Sequence, residues 1–508
     1  MGLNNKNDVM NQRVTIKINF RGGITSPGEF YNVLVAARKA GVSYVSFGLR
    51  QQLLIDVSIE TAHILNDELE KLNVLSETDI NDFPNIISSY PAEEVFIHNT
   101  WLSEGVYKDM FDEMNYRPRL KINISDSNQS FTPILTGNIN WVASSTAQHF
   151  WHLFVRFPKT NVIYEWDQMV YTNDVGKLSK EVEQIIFSNK DEFYDNKLAN
   201  GELLLKKLDL DKYILQATQK PAILPPFNLP YYEGLNRYNE KYWLGIYRRD
   251  ELFDIAFLKE MCLLCLETKI GQVCSTPWKS IVVKGIEEKD KAAWNRLLEK
   301  HTINMRHAAN ELNFQVEDNC SEGLDLKNYL VKGLNKDDIR TFGLCIGIKT
   351  RKKSEVFSSI LVRRKALISF FGIEMFYLYD ILCARNFNPN ERTAFVFSKN
   401  NPKFVLREQL RSAIVAFYSD RNNKNTIPDS EIKRPEEKIK SKITEYVYQC
   451  EDCLSIYDNS AADTEKGIDA GTDFELLPAD YTCPLCEGSK DNFVRIERNK
   501  LGLVFDNS

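Results

Sequence analysis

Long uninterrupted hydrophobic runs are missing from this 508-residue chain. The most apolar stretch, residues 366–384, is broken by Glu374 and Asp380, which argues against a membrane span and predicts a buried helix. No apolar segment follows the first basic residues, so no export leader is expected. An excess of positive charge is missing too. The 64 Lys and Arg stand against 70 Asp and Glu, a formal net charge of −6, which argues against a nucleic-acid-binding surface. Histidine is sparse, with six in all. His149 and His152 lie on either side of Trp151 with no evident third ligand, and they read as structural. A cytoplasmic protein with neither membrane nor nucleic acid as partner is expected. In that reducing setting its ten cysteines serve metal binding or burial rather than disulfides.

The length exceeds what one core supports, so several domains are expected. Residues 420–445 carry few large apolar side chains and many charges, as around Arg434-Pro435-Glu436-Glu437-Lys438, and read as a linker. Beyond it, residues 446–495 hold eleven acidic and three basic residues, a net of −8, while the remainder is close to neutral. An acidic domain on a polar tether suits docking to a basic face, or simply stays soluble.

Before the linker the sequence repeats an order of elements. Alternation at residues 14–20 predicts a strand. A turn with Gly22-Gly23, a helix over 30–40, strands over 44–47 and 53–57, and a helix over 60–72 follow. The second copy has a strand at 242–247, a helix over 252–267, strands at 272–275 and 280–283, and a helix over 289–299. Both copies read β-α-β-β-α and each is followed by a longer α/β stretch, so the body divides into two related halves. The expected domains are therefore 1–200, 201–419 and 446–500, with the linker at 420–445.

Two C-x-x-C pairs, Cys450-Glu451-Asp452-Cys453 and Cys483-Pro484-Leu485-Cys486, carry the clearest chemistry. Each pair sets two thiolates on one tight loop, and two loops close a tetrahedron around a metal. Thiolate tetrahedra suit both zinc and iron, so the cysteines alone leave the metal open. The residues between and after them are Tyr457, Gly467, Gly471-Thr472, Phe474, Leu477-Pro478, Tyr481, Cys483-Pro484, Lys490 and Phe493. With this pattern residues 446–495 closely resemble rubredoxin. The resemblance implies a mononuclear Fe(Cys)4 centre held by Cys450, Cys453, Cys483 and Cys486, and one-electron transfer. Two positions depart from it: the glycine usual after each second cysteine is replaced by Leu454 and Glu487. A side chain in the left-handed conformation expected there costs about 1–2 kcal/mol, which keeps structural zinc open as an alternative.

The body carries a second resemblance. Asn19-Phe20-Arg21-Gly22-Gly23 with Arg50-Gln51-Gln52-Leu53-Leu54-Ile55, and Thr276-Pro277-Trp278-Lys279 in the second copy, are similar to the ferredoxin-like half domains of nitrite and sulfite reductases. The resemblance implies an α+β fold: two ferredoxin-like α/β halves about a pseudo-two-fold axis, followed by the small metal domain. In that family the halves hold sirohaem beside a [4Fe–4S] cluster, bound through C-x5-C and C-x3-C pairs. Cys262, Cys265, Cys274, Cys320, Cys345 and Cys383 contain neither spacing, so the cluster is not expected and neither is sirohaem. Cys262 and Cys265 lie in an apolar helix and read as core. If a polycarboxylate tetrapyrrole bound, the positions carried over from the family are Arg50 and Lys279. Arg21, Arg306, Lys349 and Arg351-Lys352-Lys353 are further basic candidates, the last run reading mainly as solvated surface.

The expected function is electron transfer through the rubredoxin centre, with a cluster-free reductase-like body serving a reductase of nitrogen or sulfur assimilation. Its redox partner would be that reductase, or a ferredoxin- or NAD(P)H-dependent donor. The alternative is a tetrapyrrole-binding oxidoreductase that uses the rubredoxin domain as its own donor. A non-redox interaction protein with structural zinc is the third reading.

Overall fold

The computed structural model describes residues 12–97, 100–218, 220–351, 356–370, 373–425, 446–452, 456–457, 468, 472–483, 486 and 488–497. The chain forms two compact units, residues 1–424 and 425–508. Most of the expected linker, from residue 426 to 445, lies outside the described residues, and residues 420–425 end the helix Lys403–Asn425.

In the first unit each sequence repeat becomes a half with two sheets. The strand Arg13–Asn19 pairs antiparallel with Gln52–Ser58, and Tyr44–Phe47 adds to the latter. The helices Pro27–Lys39 and Ala62–Lys71 carry the crossovers. Ser26 is the N-cap of the first helix, with Pro27 behind it. Its Oγ accepts from the Glu29 amide at 3.2 Å and donates to the Glu29 carboxylate at 2.9 Å. The second repeat copies this plan with Lys241–Ile246, Val273–Ser275 and Ile281–Ile286 and the helices Ile255–Glu267 and Lys291–Lys300. There Asp254 is the cap, accepting from Ala256 and Phe257 amides.

The halves exchange edge strands. Ile24–Thr25 of the first pairs with Val273–Ser275 of the second, and Phe253–Asp254 of the second pairs with Tyr44–Phe47 of the first. This reciprocity is the pseudo-two-fold relation, and it builds one core. Phe30, Val33 and Leu34 belong to the same buried cluster as Leu258, Met261, Cys262 and Cys265. Gly23, at φ +79°, makes the exchange feasible: a Cβ there would stand 2.7 Å from the Ser275 carbonyl oxygen. The six cysteines of this unit are all buried, and Cys262 and Cys265 are core residues of their helix.

Each half then carries a larger mixed sheet with one pairing pattern. In the first, Ile87–Ser88, Ile122–Ser125 and Ile139–Ala143 are parallel, and Phe150–Arg156 and Ile163–Tyr171 continue antiparallel. In the second, Phe314–Val316, Ile346–Lys349 and Ile360–Phe370 are parallel, followed by antiparallel Ile373–Ala384 and Ala394–Asn401. The apolar stretch expected as a buried helix is thus most of a long hairpin, Ile360–Phe370 with Ile373–Ala384. Its β-branched and aromatic side chains favour a pleated strand, and the Asp380 carboxylate inside it is neutralised by Arg363 and Lys365. No helix among the described residues is long and apolar enough to cross a membrane.

The second unit has a three-stranded sheet. Tyr446–Cys450 is central, with Phe493–Glu497 and Ile456–Tyr457 antiparallel on its two sides. Cys450, Ile468, Phe474, Leu477, Tyr481, Cys483 and Phe493 make its core.

Candidate metal centre and basic cavity

The end of the central strand delivers the first thiol. Cys450 closes Tyr446–Cys450 opposite Phe493 and is fully buried. The second loop is a tight return in which Thr482 bridges Ser489 and the Cys483 amide donates to the Gly488 carbonyl at 2.8 Å. Together they bring the Sγ atoms of Cys450, Cys483 and Cys486 within 4.8 Å of one another. Cys450 and Cys486 sulfurs are 3.6 Å apart. Four sulfurs at about 2.3 Å from a tetrahedral metal stand about 3.8 Å from each other, so this spacing fits a thiolate-bound metal. Cys483 is fully buried and Cys486 is exposed, so the set opens to solvent on one side. Cys453, the fourth expected ligand, and Leu454 and Glu487 lie outside the described residues.

A shell of rings backs the thiols. Phe474 stacks on Tyr448 at 4.2 Å between centroids and meets Tyr457 and Phe493 at 5.3 and 5.0 Å. Such ring pairs bury large area with few rotamers to freeze, which a unit this small needs. The Tyr457 hydroxyl donates to the Thr472 carbonyl at 2.8 Å, and the Lys490 ammonium donates to the Leu477 carbonyl at 2.6 Å. The matched residues Tyr457, Thr472, Leu477 and Lys490 are therefore loop clasps. Gly488 does not take a left-handed φ, and the point where its Cβ would stand lies 2.5 Å from Asp452 Oδ2.

In the first unit a cavity of about 580 Å3 has a basic wall of Arg50, Arg119, Lys121, Arg156, Lys159 and Arg351, with Glu317 and Asp318 opposite in sign. Arg50 is buried and already engaged: it donates to the carbonyls of Asn85 at 2.7 Å and Ile122 at 3.0 Å. Burial pulls its guanidinium down to about 9. Burial, then Arg50 and Arg156, bring Lys121 down to about 7. Lys279 is not among the residues lining the cavity. Its buried ammonium pairs with Glu251 at 2.5 Å and Asp318 at 3.6 Å and donates to the Glu317 carbonyl. Of the other basic candidates, Arg21 donates to the Phe111 carbonyl, Arg351 lines the cavity, and Lys352 and Lys353 lie outside the described residues. No local pattern in the sequence marks Lys121 and Arg156; they come together at one end of a single sheet, Arg156 closing Phe150–Arg156 and Lys121 directly preceding Ile122–Ser125. Neither cysteine nor histidine lines the cavity among the described residues.

A metal-binding thiolate domain on a larger α/β body is the class that these features define. The rubredoxin family model matches residues 447–493. The chain is 44% identical over 50 residues to the rubredoxin of Megasphaera elsdenii, covering 94% of it and 10% of this chain. It is 45% identical over 60 residues to the high molecular weight rubredoxin of Moorella thermoacetica, covering 26% of that protein and 12% of this chain. Through this C-terminal domain the chain belongs to the rubredoxin family. The solved structure of the NirA protein of Mycobacterium tuberculosis matches with a TM-score of 0.57 and 14% identity, over 83% of this chain and 82% of that one. That likeness is one of fold.

Proposed function

We propose that the protein is an electron carrier whose rubredoxin domain binds one iron through Cys450, Cys453, Cys483 and Cys486 and serves a reductase partner in nitrogen or sulfur assimilation. The observation that carries the reading is the convergence of three thiols within 4.8 Å inside a rubredoxin domain. Iron in a four-thiolate set exchanges one electron between ferric and ferrous states. The chain's own residues supply the rest. Cys450 and Cys483 present thiolates from a buried core, the rings of Phe474 and Tyr481 keep water from that side, and exposed Cys486 offers the short path to a partner. The link to nitrite and sulfite reduction rests on the resemblance of the body to that family and on its NirA-like fold. The test is the UV–visible spectrum of the as-isolated protein: iron gives red thiolate-to-metal absorption that bleaches with dithionite, and zinc gives none.

The basic cavity favours a second reading, an oxidoreductase that binds a tetrapyrrole and draws electrons from its own rubredoxin domain. Lys121 would pair with a peripheral carboxylate, while Arg50, Arg156 and Arg351, each donating to backbone carbonyls, hold the basic wall in place. The donor set does not fit a [4Fe–4S] cluster, since the cysteine spacings are absent and no thiol lines the cavity among the described residues. A Soret band that co-purifies with the protein would select this reading.

A further inference from the structure

Asp452 lies inside the first knuckle and takes no part in ligation. Its carboxylate Oδ2 accepts from Asn492 Nδ2 at 2.7 Å. Asn492 is itself fixed from three sides. Its carbonyl accepts from the Glu451 amide at 2.8 Å, its amide donates to the Ser489 carbonyl at 3.0 Å, and its Oδ1 accepts from Ser489 Oγ at 3.3 Å. The carboxylate is therefore clasped against the second knuckle. Gly488 measures how closely: the point where its Cβ would stand lies 2.5 Å from Asp452 Oδ2 and 3.4 Å from Cys486 Sγ. The carboxylate and the exposed sulfur thus flank the same glycine.

We infer that Asp452 is a positioning residue of the metal centre: clasped by Asn492 beside Cys486, it holds a negative charge near the sulfur and lowers the reduction potential. This rests on the reading of the site as an iron centre. Reduction adds a negative charge to the thiolate set, and a fixed carboxylate nearby opposes that addition. Asp452 is exposed, so salt screens its effect. The Asn492 side-chain amide acts on the centre through Asp452.

The experiment is the midpoint potential of the iron-loaded full-length protein, followed optically at low and high ionic strength. Asp452→Asn keeps an acceptor for Asn492 and removes the charge. Its potential should rise above the parent's at low salt, and the difference should shrink at high salt. Asn492→Ala leaves the charge but frees it, and should give a smaller rise. An intact iron chromophore with an unmoved Asp452→Asn potential at low salt overturns the inference alone. So does a shift that salt does not alter, since that reports rearranged contacts rather than charge. A protein that never shows the iron chromophore overturns the underlying reading and this inference with it.

Discussion

At the scale of single residues, two clusters stand out: three thiols within 4.8 Å of one another and a set of cations that line a cavity. Cys483→Ser removes a buried ligand from the thiolate set. The variant should lose iron absorption and iron content while the melting of residues 1–424, followed by near-UV circular dichroism, stays unchanged, because the unit is separate. In the cavity, Lys121 titrates near neutrality. Its folded value of about 7 lies below the ordinary 10.5, so it loses charge as pH rises through 7, and the unfolded chain binds more protons between these values. Binding of a polyanion whose own charge is fixed over this range, such as an aryl polysulfonate, should therefore weaken by about tenfold, about 1.4 kcal/mol, from pH 6 to pH 8. Calorimetry should find that step missing in Lys121→Met. The three thiols that converge, Cys450, Cys483 and Cys486, were legible in the sequence as members of two C-x-x-C pairs, and the rings behind them as the aromatic positions between and after those pairs. The cavity wall was not, since Lys121 reaches it from just before Ile122–Ser125 and Arg156 from the end of Phe150–Arg156, and they share no spacing.

Secondary elements tell a similar story of local signals that hold and one that tertiary context reverses. The β-α-β-β-α order of both repeats appears where alternation and helical spacing place it, with Ser26 and Asp254 as caps. The strand exchange escaped the sequence because Ile24–Thr25 and Phe253–Asp254 are too short to give a periodic signal. Residues 366–384 read as a helix by hydrophobicity, yet they form most of a hairpin whose charges pair across strands. Asp380 anchors that hairpin. Its side chain is fully shielded; burial pushes its carboxyl up, but Lys365, the Asn400 amide and Arg363 together bring it down to about 2. A depressed carboxyl contributes stability above its unfolded value near 3.8, and this is lost as pH falls through about 2. Asp380→Asn should cost about 2 kcal/mol at neutral pH, read from denaturant midpoints, with the gap closing in strong acid.

For the whole molecule, the organisation is that of a large α/β body with a NirA-like fold and a small rubredoxin domain, each compact by itself. Sequence divides them by charge, since residues 446–495 carry a net of −8. A chain ending at residue 424 should fold with the circular dichroism and melting of the parent body but carry no iron absorption. If the proposed role is right, it should also fail to pass electrons to a reductase partner. Delivery of electrons by the shortened chain would place the redox function in the body instead.

Whether the four knuckle cysteines bind iron for electron transfer is decided by the UV–visible spectrum of the as-isolated full-length protein before and after dithionite. An iron centre gives red sulfur-to-iron absorption that bleaches on reduction and returns in air. A colourless protein whose bound metal is zinc would contradict iron binding.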